Sequence, residues 1–206
     1  HGMVLNPEPH CVELVYAGQN VAVTETATSF ENERQKVEIS LVKSIEQNER
    51  FGIGTNGEMK NISFGLFAAE EIVSASGTSI PANGLVEIIS LNEDGTAKIK
   101  TDLPFGSYYV QELATDSHYK LSDTKYPVTF GYASQDTAVV KIAVNGGNAV
   151  ENKLIYGSVS GKKIDENGDS LGGALIGLFR TDDGEFTKEN ALMTTASAED
   201  GSFSFE

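Results

Sequence analysis

"VEISLVKSIE", Val37 to Glu46, alternates as a half-buried strand does, with Val37, Ile39 and Leu41 on one face and Glu38 and Ser40 on the other. The next position on the apolar face is Lys43. A strand that aims an ammonium at its own core needs an edge where the charge can reach water, or a buried group to receive it. The same departure occurs twice more. In "GSYYVQE" (106–112) Tyr108 and Val110 share a face that Glu112 continues, and in "AVENKL" (149–154) Asn152 sits between Val150 and Leu154.

Around these stretches the chain is punctuated by polar and glycine turns: "TNGE", "PANG", "NEDG", "PFGS", "NGGN", "DENG", "TDDG" and "AEDG". Short runs rich in Val, Ile, Thr, Phe and Tyr lie between them, and no stretch keeps a helical period over three turns. The pattern predicts an all-β protein built from hairpins. Its 206 residues carry a formal charge of −15, which argues against nucleic acid or an anionic membrane as partner, since both require basic patches. No apolar run approaches the length of a bilayer span. Cys11 is the one cysteine, so no internal disulfide can form and a chain of this kind outside the cell needs another source of durability.

An internal repeat sets the domain organisation. "FENERQKVEISLVKSIE" (30–46) aligns with "VENKLIYGSVSGKKIDE" (150–166), pairing Asn32 with Asn152 and Lys43 with Lys163. "GLFAAE" (65–70) recurs as "GLFRTD" (177–182), "NEDGTAKI" (92–99) as "AEDGSFSF" (198–205), and "VELVYAGQN" (12–20) resembles "VTFGYASQD" (128–136). The repeat is roughly 120 residues long, an ordinary domain size. Residues 36–154 hold every part of it. Residues 1–35 are expected to be the closing strands of a preceding copy and residues 155–206 the opening half of a following one, as in a cut from a longer tandem array.

Taken singly, each inward polar residue has an ordinary explanation: lysines at strand ends snorkel, glutamates close strands into solvent, and asparagines begin turns. Taken together they point to chemistry. Desolvation shifts a lysine toward its neutral, nucleophilic amine and a glutamate toward its protonated acid. A neutral amine beside a carboxamide can attack it, while an acid that donates to the carboxamide oxygen polarises it and relays protons to the departing ammonia. The product is a Lys–Asn amide joining the first and last strands of the domain.

The lysine in "LVKSIE", the following "FGLF", "NEDGTAKI" ahead of "LPFGSYYVQE", Tyr119 seven residues after Glu112, and the closing "VENK" together resemble the Cna B-type, or SpaA-like, repeat domains of Gram-positive surface adhesins and pilins. The resemblance covers nearly the whole chain, with 36–154 the complete copy. It departs from the family where Thr115, Asp116 and His118 replace the usual Ala-Pro and Gly, which is expected to alter a loop and not the reacting groups. It implies tandem Ig-like or transthyretin-like β-sandwiches at the bacterial cell surface, cell-wall anchored or secreted, whose partners are neighbouring repeats of the same protein. By residue it implies Lys43 as nucleophile, Asn152 as acceptor and Glu112 as the acid. Asn32 and Lys163 are the counterparts in the partial copies and are expected to remain unlinked, because neither segment carries an equivalent of Glu112; Lys163, and not Lys162, lies on the matching face. A single autocatalytic turnover does not make the chain an enzyme.

The remaining signals are weaker. "DENGDS" (165–170) lacks the glycine and glutamate that a calcium loop places at its sixth and twelfth positions, where Ser170 and Ile176 stand, and reads as a hairpin turn. His1, His10 and His118 form no ligand spacing or triad, so no metal or cofactor is expected. Residues 46–58, "EQNERFGIGTNGE", are an insertion relative to the third segment, and inserted loops often carry recognition. A β-sandwich that presents such loops to a host protein or a glycan is the alternative to a load-bearing stalk, and an accessory domain beside a secreted enzyme is a third reading.

Overall fold

The computed structural model describes residues 2–74 and 77–206; His1, weighed above as a ligand, lies outside them. The chain divides into two compact units, His1–Leu154 and Ile155–Glu206. The first is a sandwich of two four-stranded sheets. Its β1 (Lys36–Ile45) runs antiparallel to β6 (Thr96–Ile99) and, on its other side, parallel to β9 (Val139–Ala143) and β10 (Val150–Asn152). The facing sheet has the order β5 (Leu85–Ser90), β2 (Ser63–Ala68), β7 (Gly106–Ala114), β8 (Tyr126–Phe130), all antiparallel. A two-residue pair, β3 (Ile72–Val73) with β4 (Ser79–Ile80), lies off both sheets.

The core follows from the alternation. Val37, Ile39 and Leu41 of β1 pack with Phe64 and Leu66 of β2, Tyr108 and Val110 of β7, and Val128 and Phe130 of β8, each no more than 3% exposed. The register of the closing strand is what places the inward polar residues. β9 pairs with the first half of β1, from Lys36 opposite Val139 to Ser40 opposite Ala143. The chain then leaves the sheet through Asn145, Gly146 and Gly147, all at positive φ, with Val144 buried as an anchor. It returns as β10 with Lys43 opposite Val150 and Ile45 opposite Asn152.

Residues 2–35 correct the expectation of closing strands: among them there is no strand, only an isolated bridge from Met3 to Arg34. A strand needs an edge to pair with and an apolar face to cover it. Val12, Leu14, Tyr16 and Val23 are all more than half exposed, so this segment has found neither. Its ends are held on the first unit, through Leu5 N–H to the Gln135 carbonyl at 2.8 Å and an ion pair between Arg34 and Asp102.

The second unit consists of two antiparallel pairs, β11 (Val159–Lys162) with β14 (Ser202–Phe205) and β12 (Leu175–Leu178) with β13 (Met193–Ala196). One local geometry occurs in both units. The Lys43 N–H donates to the Gly95 carbonyl at 2.8 Å, and the Lys163 N–H donates to that of Gly201 at 2.7 Å. Both glycines have φ of 79°, and a Cβ on either would stand 2.3 Å from the carbonyl oxygen of its lysine. This turn therefore requires glycine twice over, for its φ and for the close approach. Gly95→Ala is expected to lower stability by about 1–3 kcal/mol. Gly131→Ala, where an added Cβ meets nothing within 4 Å, should leave the urea midpoint unchanged; equal midpoints for both variants would contradict this account of the turn.

Candidate functional site

Three elements converge on one buried point. β1 supplies Lys43, which follows Val37, Ile39 and Leu41 inward and is 3% exposed. β10 supplies Asn152, 2% exposed, between the buried Val150 and Leu154. From the facing sheet β7 supplies Glu112, 4% exposed, continuing the row of Tyr108 and Val110. The β2–β7 register shifts between Ser63 and Phe64, beside the pairing of Phe64 with Glu112, and a bulge at that place re-aims a side chain without disturbing the sheet behind it.

Lys43 Nζ lies 3.8 Å from Glu112 Oε1 and donates to the carbonyls of Ser44 and Val150, each at 3.0 Å. Asn152 Nδ2 donates to Glu112 Oε1 at 2.8 Å and to Thr115 Oγ1 at 2.8 Å. Glu112 Oε2 accepts the Ser122 N–H at 2.9 Å. The one atom left out is Asn152 Oδ1, which is buried without a hydrogen-bond partner. The expectation that the acid donates to the carboxamide oxygen is therefore not met in this orientation: the nitrogen faces Glu112.

Burial dominates the electrostatics. Loss of water pulls the Lys43 ammonium down to about 8, against the upward pull of the Glu112 and Glu151 carboxylates. Enclosing a lysine and a glutamate without water costs several kcal/mol per ion, and their attraction repays that poorly. A pair kept in such a place is a functional candidate on physical grounds.

The surroundings hold the end of the closing strand in place. Glu46 N–H donates to the Asn152 carbonyl at 3.0 Å, and Glu46 Oε2 accepts from the Leu154 N–H at 3.1 Å. The Tyr119 hydroxyl donates to the Glu46 carbonyl at 2.9 Å, and Tyr119 bridges to Leu154. Thr115 and Glu46 were not assigned roles from sequence. Thr115 carried a signal, as a departure from the family pattern three residues after Glu112; Glu46 carried none. Asp116 binds Asn61 and His118 at the head of the loop. Residues 46–58 fold around Glu58, whose carboxylate accepts the N–H groups of Gly54 and Asn56.

Of the counterpart residues, Asn32 is exposed in the first unit and Lys163 is partly buried in the second, its Nζ on the Ile164 carbonyl at 2.6 Å. "DENGDS" forms a turn closed by Asp165 with Asp169, and among the described residues no cluster of potential metal ligands occurs. Cys11 is exposed.

Residues 52–147 match the SpaA prealbumin-like fold domain. The SpaA-like match takes in Glu112 and Thr115 and stops short of Lys43 and Asn152, which flank it. Among solved structures, the Bacillus anthracis TIE protein has a TM-score of 0.53 at 17% identity, over 85% of this chain and 27% of that one. A streptococcal ancillary pilin gives 0.35 at 18% identity, over 86% of this chain and 52% of that one. The Corynebacterium diphtheriae major pilin SpaA gives 0.34 at 19%, over 57% and 30%. The chain thus spans less than two thirds of the length of each. No curated protein matches it.

The pKa of Lys43 has a consequence for the unlinked protein. A folded-state value near 8, below the 10.5 of a free lysine, means that the folded chain binds fewer protons between those limits, so stability rises with pH across them and the burial penalty is complete below about 8. In Asn152→Ala, which cannot form the amide, the urea midpoint should rise from pH 8 to 9.5. Lys43→Met in the same background should flatten that rise; identical pH dependence in the two proteins would show that Lys43 does not titrate there.

Proposed function

We propose that residues 36–154 form a load-bearing module of a bacterial cell-surface protein, a pilin or adhesin, which locks itself with an autocatalytic amide between Lys43 and Asn152. The observation that carries this reading is a buried Glu112 carboxylate that lies 3.8 Å from the buried Lys43 amine and accepts from the buried Asn152 carboxamide. The SpaA prealbumin-like match to residues 52–147 supports the reading of a pilin or adhesin module.

The chemistry balances within the site. The Lys43 ammonium gives a proton to Glu112, which makes the amine nucleophilic and the carboxyl an acid in one step. Nζ attacks Cγ of Asn152. Glu112 protonates Nδ2, the Cγ–Nδ2 bond breaks and ammonia leaves. The second proton shed by Nζ returns to Glu112, and ammonia carries it out as ammonium. The Nδ2 orientation places the leaving nitrogen on the acid from the start.

The mechanical consequence follows from the topology. β1 and β10 are parallel neighbours, so tension on the two ends of the domain shears them past each other. A bond from Lys43 to Asn152 passes the load directly from the first strand to the last and removes residues 44–151 from its path. Residues 155–206 are then part of an adjoining copy, and the partners are the neighbouring modules.

Intact-mass measurement is the direct test: the protein should be lighter than its sequence by one ammonia, localised by digestion to a Lys43–Asn152 peptide. An unmodified mass excludes the reading. Glu112→Ala should fold and retain the full mass. Closing a loop of about 110 residues should add roughly 5 kcal/mol by restricting the unfolded chain, so Lys43→Ala is expected to melt on the order of 10 °C or more below the wild type.

A further inference from the structure

We infer that Thr115 is a working part of this site: it holds the leaving nitrogen of Asn152 in register with Glu112, and cross-linking depends on its hydroxyl. The inference rests on the reading above and adds a residue that the Lys–Glu–Asn trio does not contain.

The geometry is specific. Asn152 Nδ2 has two N–H bonds, and each has its own acceptor at 2.8 Å, Glu112 Oε1 for one and Thr115 Oγ1 for the other. The opposite end of the carboxamide, Oδ1, is buried and has no partner. Rotation about a terminal sp³–sp² bond is soft and nearly two-fold, so the hydrogen bonds alone decide which end faces the acid. With the two acceptors converging on one atom, the nitrogen stays on the acid although that leaves the oxygen bare. Removing the Thr115 acceptor leaves a single hydrogen bond to choose between the ends, and an amide turned about would present oxygen to Glu112 and carry the leaving group out of its reach.

Thr115 is also suitably placed along the chain. It is the first residue after β7, three beyond Glu112, so the same backbone fixes both acceptors. Thr115 acts as a positioning residue: proton transfer remains with Glu112, and the Nζ–Cγ bond forms and the Cγ–Nδ2 bond breaks as before.

The test follows the mass of the full 206-residue chain over time for the wild type, Thr115→Val and Thr115→Ser. The wild type should emerge fully linked. Thr115→Val, which keeps the shape and loses the hydroxyl, should emerge substantially unlinked and lose its ammonia about tenfold more slowly, the worth of one hydrogen bond to the reacting group. Thr115→Ser should restore the rate. A stabilising osmolyte separates positioning from folding, since it tightens a loosened fold but cannot replace an acceptor.

A wild type that never loses ammonia overturns the cross-link itself. Wild type and Thr115→Val linking alike overturns the role of Thr115 while leaving the cross-link standing. Slow linkage that the osmolyte repairs, or that serine does not, also overturns it by assigning Thr115 to packing. Should Thr115→Val fail to fold, Thr115→Ala carries the same comparison.

Discussion

Exclusion of water from Lys43, Glu112 and Asn152 is the constraint on which the rest of the arrangement depends. In water a lysine ammonium and a glutamate carboxylate are inert toward an amide. Enclosed between two sheets, Lys43 lies 3.8 Å from Glu112, and burial pulls the lysine toward its neutral amine against the pull of that carboxylate. No one strand could achieve this. Lys43 and Asn152 come from neighbouring strands of one sheet and Glu112 from the other, so the site exists only when the sandwich has closed.

Topology accounts for the choice of strands. β1 accepts the closing segment in two pieces, β9 and β10, and the excursion at Val144–Gly147 separates them. The second piece is thereby free to take the register that puts Asn152 opposite Ile45, two residues along from Lys43 and on the same face. An unbroken closing strand would have to carry the register of β9 onward, so the left-handed turn at Asn145 and Gly146 sets the spacing on which the site relies.

Period-two alternation made the essentials legible: a lysine, a glutamate and an asparagine each continue an apolar row, and all three are buried together. That reasoning works because a strand has two faces and the choice between them is recorded in every second residue. It cannot reach contacts made by backbone or by loops. Ser122 donates a main-chain N–H to Glu112, Glu46 is joined to Asn152 through main-chain groups, and Thr115 lies one residue past its strand, where alternation no longer applies. Which end of the Asn152 amide faces the acid depends on the acceptors nearby, and composition does not encode that. The strands expected in residues 1–35 failed for the complementary reason: their alternation is present, but pairing also requires an edge and a covering sheet.

The second unit separates what is local in this design from what is not. Lys163 reproduces the backbone setting of Lys43 closely, with the same bond to a glycine carbonyl, the same φ at that glycine and Nζ on the carbonyl of the next residue. One antiparallel strand pair is enough to make that geometry, β1 with β6 in the first unit and β11 with β14 in the second. Burial is different. Lys163 remains partly accessible where Lys43 is 3% exposed, because among the described residues no second sheet with an inward glutamate covers it as β7 covers Lys43. Position alone therefore does not activate a lysine in this fold. In the proposed reaction activation waits for the opposing sheet, with its glutamate, to dock, so the amide would form only after the pairing it preserves.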